Sequence, residues 1–294
     1  MIMKKSIGIF DSGLGGLTVL KVLSQKFPEE SFCYLGDIAR LPYGNKSPET
    51  IRKYGVQILK FLKDQNVKAL IIACNSASTV FLGEHEFEGI PLLNVIEPGS
   101  KEALRVSSDK KIAILGTSAT IRSHAYEKTL KMLDSTSVVI EQACPLFVPL
   151  VEEGIVDDPI TEMVAERYLT EIKKAKIKTV ILGCTHYPVL KADLGKTLGP
   201  DVVLVESGEV LSEQLQALFN SGVIHKEVNS TRQIRVCITD LTDHFERLAQ
   251  KLMNPEPIGQ LEKVVLYLIQ EFFLSFIFDQ SISYRLRSRS LYVR

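Results

Sequence analysis

The sequence predicts an α/β protein of two similar, doubly wound halves with mostly parallel sheets and an active-site cleft between them. Two observations predict it. Continuous Ile/Val/Leu runs alternate with helical patterns, as they do where a parallel sheet is covered by helices on both faces. The order strand, polar turn, strand, cysteine turn also occurs twice. "KSIGIFDSG" (residues 5–13) aligns with "KKIAILGTS" (110–118), and "KALIIACNS" (68–76) aligns with "KTVILGCTH" (178–186) without a gap.

The elements follow in order. "SIGIF" (6–10) is a strand, and "GLTVLKVLSQKF" (16–27) has the apolar period of a helix. "SFCYLG" (31–36) is the next strand. "SPETIRKYGVQILKFLKDQ" (47–65) opens as a helix should, with Ser47 as N-cap and Pro48 at the first helical position. "KALIIA", "PLLNVI", "KIAIL", "SVVIEQ", "KTVILG" and "DVVLVE" are further strands, most of them separated by helical segments. "RVCITDLTDHFERLAQKLMN" (235–254) reads as a last strand and helix. Beyond it, residues 264–278 are strongly apolar with the single charge Glu271, and the last ten residues carry four arginines. That stretch is too short and interrupted for a membrane span. A docked helix, an oligomer contact, an interfacial anchor and a reading-frame artefact all stay open.

The totals narrow the function. A chain of 294 residues can bury a substantial core, and 45% hydrophobic with 24% charged residues is the balance of a soluble globular protein. Zero formal net charge and a pI near 7.0 argue against electrostatically driven nucleic-acid binding. The five cysteines form no C-x-x-C, so neither a zinc ribbon nor a thioredoxin-type pair is signalled. The opening "MIMKKSIGIFDSG" reads as a first strand and not as a secretory leader, so a cytoplasmic protein with reduced thiols is expected.

In open α/β sheets ligands sit at the carboxyl ends of the strands. Asp11-Ser12, Cys74-Asn75-Ser76, Gly116-Thr117-Ser118 and Cys184-Thr185-His186 all fall there, which would put Cys74 and Cys184 on facing walls of one cleft. Competing readings are weaker. "GLGG" (13–16) with Asp37 as a ribose acid suggests a dinucleotide fold, but Thr18 replaces the third glycine and Asp11 would face a pyrophosphate. No P-loop is present. Cys184 with His186 could serve a thiol hydrolase, which leaves the second cysteine without a role. Cys33 and Cys237 read as buried inert thiols, and Cys144 has no twin. His85, His124, His225 and His244 lack ligand-like spacing and read as surface or capping residues, so no metal is expected. No lysine stands out for pyridoxal phosphate.

Two thiols across one substrate carbon permit symmetric general acid–base catalysis. One removes a proton from one face while the other delivers one to the opposite face. A free thiol titrates at about 8.5, and a following helix N-terminus lowers that value. The paired titrations can be coupled. Ser12, Asn75, Ser76, Thr117, Thr120 and Thr185 supply donors for carboxylates, while Asp11, Glu152 and His186 could meet an ammonium or assist the thiols.

"IGIFDSGLGGLTVL", "LPYG", "ACNSAST" and "GCTHYPVL", in this order, closely resemble the glutamate racemase family over roughly residues 5–263. The resemblance implies a cofactor-independent isomerase that supplies D-glutamate for peptidoglycan, with glutamate as its ligand and homodimers common. It implies a first domain of residues 1–97 plus 208–263, a second of 98–207, and a divergent tail of 264–294. By analogy Cys74 would deprotonate the D-enantiomer and Cys184 the L-enantiomer. Asp11 and Ser12, Pro42, Tyr43 and Gly44, Asn75 and Ser76, and Thr185 and His186 match substrate-binding positions, and Glu152 matches an auxiliary acid. An aspartate racemase of the same superfamily is the nearest alternative. A thiol hydrolase and a non-catalytic anion-binding protein are further ones.

Overall fold

The computed structural model describes residues 5–227 and 232–266. The expectations for the tail from residue 267 onward lie outside the described residues. The strands are β1 (Ser6–Asp11), β2 (Phe32–Gly36), β3 (Val67–Ile72), β4 (Glu86–Phe87), β5 (Ile90–Asn94), β6 (Lys111–Gly116), β7 (Val138–Ala143), β8 (Thr179–Gly183), β9 (Val203–Val205), β10 (Ile234–Ile238) and β11 (Gln260–Lys263). The helices are α1 (Leu17–Lys26), α2 (Pro48–Asp64), α3 (Asn75–Ser78), α4 (Ile96–Val106), α5 (Ser118–Ser123), α6 (Ala125–Leu133), α7 (Phe147–Glu152), α8 (Pro159–Lys174), α9 (Lys191–Leu198), α10 (Ser207–Asn220) and α11 (Asp243–Met253).

Two sheets result. The seven-stranded one runs β11-β10-β2-β1-β3-β5-β4, and the four-stranded one β7-β6-β8-β9. All pairings are parallel except the short β4–β5 ribbon. The sequence repeat is visible as geometry. β1 lies beside β3 with Phe10 opposite Ile72, and β6 lies beside β8 with Gly116 opposite Gly183. Each sheet therefore brings one polar turn next to one cysteine turn. The expectation of a last strand at β10 is corrected, because β11 pairs with it in parallel through Arg235 opposite Gln260 and Val236 opposite Leu261.

Capping follows the sequence. Ser47 Oγ accepts from the Thr50 N–H at 3.3 Å, and Asp158 Oδ1 accepts from Ile160 at 2.8 Å, each with proline as the next residue. Alternate residues of β6 feed different cores, as the two-residue strand period requires. Ile112 and Ile114 join a cluster shared with β1, β3, α1 and α10, whereas Ala113 and Leu115 join Phe147, Leu169 and Tyr187 on the other face. The first cluster thus runs continuously from the large sheet to the small one. Residues Met1–Val264 accordingly form one compact unit. Among the described residues no helix is long and apolar enough to cross a membrane.

Candidate active site

The turns after β1, β3, β6 and β8 converge on a cavity of about 370 Å³, within the usual range for small-molecule sites. Ser12, Cys74, Asn75, Ser76, Thr117, Cys184, Thr185 and His186 line it at those strand ends. Pro42, Tyr43 and Gly44 form one rim, and Glu152 at the end of α7 forms another. Asp11 and Thr120 are not among the lining residues and stand behind the wall. Asp11, wholly buried, takes the Gly13 N–H at 2.9 Å and the Thr185 hydroxyl at 3.1 Å. Thr120 shares hydroxyl contacts with Ser76 at 3.3 Å and Thr117 at 3.1 Å.

Hydrogen bonds stitch the turns across the two sheets. From the β1 side, Asp11 accepts from the Thr185 hydroxyl and Thr18 Oγ1 donates to the Thr185 carbonyl at 3.0 Å. Ser76 after β3 meets Thr117 after β6 at 2.8 Å. Asn75 is fixed at both ends of its amide, accepting from Tyr126 Oη at 2.7 Å and donating to Ser207 Oγ at 3.2 Å.

The two cysteines have unlike surroundings. Cys74 donates to Ser12 Oγ at 3.5 Å. Burial, reinforced by the Asp11 carboxylate, pushes its thiol up to about 12, against the lowering by Ser12 and by the Ala77 N–H at the start of α3. The expected lowering by a helix start is therefore present but outweighed. Cys184 Sγ lies 3.8 Å from His186 Nδ1, and His186 Nε2 lies 3.1 Å from Glu152 Oε1. Burial alone would pull the His186 cation's pKa down. Its hydrogen bonds with Cys184 and Glu152 overcome that and hold the ring up at about 10. Burial raises the Asp11 carboxyl, with His186 acting in the opposite sense.

A family model for Asp/Glu/hydantoin racemases matches residues 17–215. The chain belongs to that racemase family. It is similar to the glutamate racemase of Geobacter metallireducens, 39% identical over 89% of this chain and 97% of the relative. It is also similar to that of Sulfurihydrogenibium, 44% identical over 87% of this chain and 96% of the relative. The crystal structure of the Francisella tularensis glutamate racemase in complex with D-glutamate superposes with a TM-score of 0.82. It is 37% identical and covers 89% of this chain and 98% of that one.

Against this racemase-family frame the remaining motifs find their places. The glycines of "GLGG" serve close approach across the site. A Cβ on Gly15 would stand 2.4 Å from Thr185 Oγ1 and 2.5 Å from His186 Nδ1, and one on Gly16 would stand 2.3 Å from Asp11 Cβ. Asp37 pins the Pro42–Gly44 rim, accepting from Tyr43 Oη at 2.5 Å, Arg40 Nε at 2.6 Å and Thr239 Oγ1 at 3.0 Å. Cys33, Cys144 and Cys237 are buried away from the cavity lining. His124, Glu127 and Glu141 approach one another, His124 exposed and Glu141 mostly buried, and none of them lines the cavity. Sequence reasoning missed the apolar wall of Pro145, Val148 and Pro149, although its neighbour Glu152 was singled out. It also missed Tyr126 and Ser207, which act behind the lining and carry no motif, and the contact that Thr18 makes there.

Proposed function

We propose that the protein is a cofactor-independent glutamate racemase using Cys74 and Cys184 as its two acid/bases. The observation that carries this reading is that two cysteines at matching strand ends line one cavity in a chain of the racemase family. The complex of the Francisella relative with D-glutamate supports glutamate as the ligand.

In this reading L-glutamate lies with its α-carbon between the two sulfurs. Cys184 as thiolate takes the α-proton, and the electron pair left behind spreads into the adjoining carboxylate. Cys74 as thiol delivers its proton to the opposite face, leaving D-glutamate, a Cys184 thiol and a Cys74 thiolate. Proton exchange with solvent restores the starting form. The elevated Cys74 thiol suits a group that begins as the proton donor, and a protonated His186 beside Cys184 suits an anion there. The barrier reduction required is on the order of 8–23 kcal/mol. Fixed hydroxyl, amide and backbone donors at residues 75–76, 117–118 and 185 supply the electrostatic part of it. The role is supply of D-glutamate for peptidoglycan in the cytoplasm. The two sheets are read as two lobes, residues 1–97 with 208–263 and residues 98–207. The chain positions of the strands in each sheet support this division.

The test is proton NMR with L-glutamate in D₂O alongside polarimetry. Loss of the α-proton signal together with decay of rotation is expected, with little effect on aspartate. Cys74→Ala and Cys184→Ala should each abolish racemisation and leave the fold intact. Near-normal turnover in either variant would overturn the two-base reading.

A further inference from the structure

Glu152 is the last residue of α7, and the closing carbonyls of a helix have no partner within it. Its carboxylate reaches His186 at 3.1 Å, and its side chain is only partly buried, with 34% exposed. Immediately afterwards Glu153 is exposed and Gly154 turns the chain away with φ +71°. The Glu152 carbonyl is gripped from elsewhere. His244 Nε2 lies 2.7 Å from that oxygen, and because a carbonyl only accepts, the ring must donate from Nε2.

His244 comes from the other sheet's end of the molecule, in the first turn of α11 after β10. That turn is firmly placed. Thr242 Oγ1 accepts from the Phe245 N–H at 3.2 Å, and the Phe245 side chain is buried in the shared core. Just upstream, Thr239 Oγ1 accepts from the Ala39 N–H at 2.9 Å and donates to Asp37 Oδ1 at 3.0 Å. Asp37 in turn pins Tyr43. Residues 239–244 therefore touch both rims of the cavity, the Pro42–Gly44 turn through Asp37 and the end of α7 through His244.

We propose that His244 is a positioning residue for proton transfer at Cys184, holding the end of α7 so that the Glu152 carboxylate stays in register with His186. This rests on the reading of Cys184 as one of the two acid/bases. The chain His244, Glu152, His186, Cys184 serves only one of the two sulfurs, since Cys74 takes its contacts from Ser12 and Ala77. Loss of His244 should therefore slow one proton transfer and not the other.

The equilibrium constant between enantiomers is unity, so kcat/KM must change equally in both directions, and isotope effects must reveal which step has slowed. The full chain carrying His244→Ala is compared with wild type using α-deuterated L- and D-glutamate. A fall of about tenfold in kcat/KM is expected, the scale of one lost hydrogen bond. The primary isotope effect should grow with the L-enantiomer, whose bond Cys184 breaks, and shrink toward unity with the D-enantiomer. His244→Gln, which keeps a donor on a side chain of similar reach, should recover most of the rate. In a Glu152→Ala background His244→Ala should cost nothing further.

Unchanged kcat/KM, isotope effects that move together, a slow His244→Gln, or an undiminished penalty in the Glu152→Ala background would each overturn the assignment. Should His244→Ala fail to fold, the His244→Gln rates and isotope effects decide alone, a wild-type pattern being expected. Normal wild-type turnover with unaffected variants removes only His244. No α-proton exchange in wild type removes the racemase reading, and His244's role with it.

Discussion

Cys74 and Cys184 end equivalent strands but are served differently, Cys74 by burial and the Asp11 carboxyl nearby, Cys184 by the His186 imidazole at 3.8 Å. The difference has a thermodynamic consequence at His186. Its pKa is held up at about 10 in the fold, against an ordinary value of 6.5. Between those values the folded chain binds more protons than the unfolded one, so stability falls as pH rises. The contribution of His186 is fully present below pH 6.5 and lost by about pH 10. Cys74, raised from 9.0 to about 12, adds a loss of the same sign above pH 9.0. Stability from urea unfolding should fall steadily as pH rises from 6.5 to 10, and Tm should fall with it. His186→Gln should flatten the slope over that range. An equally steep slope in His186→Gln would assign the proton uptake to another group.

At the scale of elements, the turn between β1 and α1 sets how closely the two sheets' cysteine turns can sit. Gly15 is the contact point. Replacing it with alanine puts a methyl group inside van der Waals distance of both Thr185 and His186, which must shift the β8 turn away from Asp11 and displace His186 from Cys184. A displacement of about 1 Å can cost on the order of 100-fold in rate. Gly15→Ala should therefore lower kcat/KM by about that factor while Tm falls by only a few degrees, measured by α-proton exchange and thermal unfolding. Wild-type kinetics in this variant would mean that the turn yields without consequence. The glycines also show where sequence reading stops. The strands were legible because continuous apolar runs force burial on both faces, and the cysteine turns because the repeat doubled the signal. β11 was not, since "QLEK" is short and charged and its pairing with β10 depends on tertiary context. The glycines of "GLGG" and Asp37 were visible as unusual residues, but their partners, Thr185, His186, Tyr43 and Thr239, are fixed only by the packing of the two sheets. His244 sits at an ordinary helix-start position, and only the carbonyl it meets distinguishes it.

For the molecule as a whole, the cross-sheet contacts have the pattern that a two-fold exchange of the repeated strands would give. β1 corresponds to β6 and β3 to β8 in the sequence repeat, and the turn after β1 bonds that after β8, as the turn after β3 bonds that after β6. That exchange carries Cys74 onto Cys184, which is why a repeat read along the chain becomes two cysteines lining one cavity. The shared apolar cluster joins the two sheets within one compact unit. Among the described residues, all that line the cavity and both clusters lie within Met1–Val264, and the ladder on β10 closes with the Val264 N–H donating to the Ile238 carbonyl at 2.8 Å. Ending the chain after Val264 removes none of these contacts. The shortened protein should keep its Tm within about 3 °C, the shift expected for a change of roughly 1 kcal/mol in a chain of this size. Its α-proton exchange should stay within about twofold of the full chain, since less than 0.5 kcal/mol of transition-state stabilisation is then altered. A loss of more than tenfold, in shortened protein with an intact cooperative transition, would instead assign residues 265–294 a part in shaping the cavity.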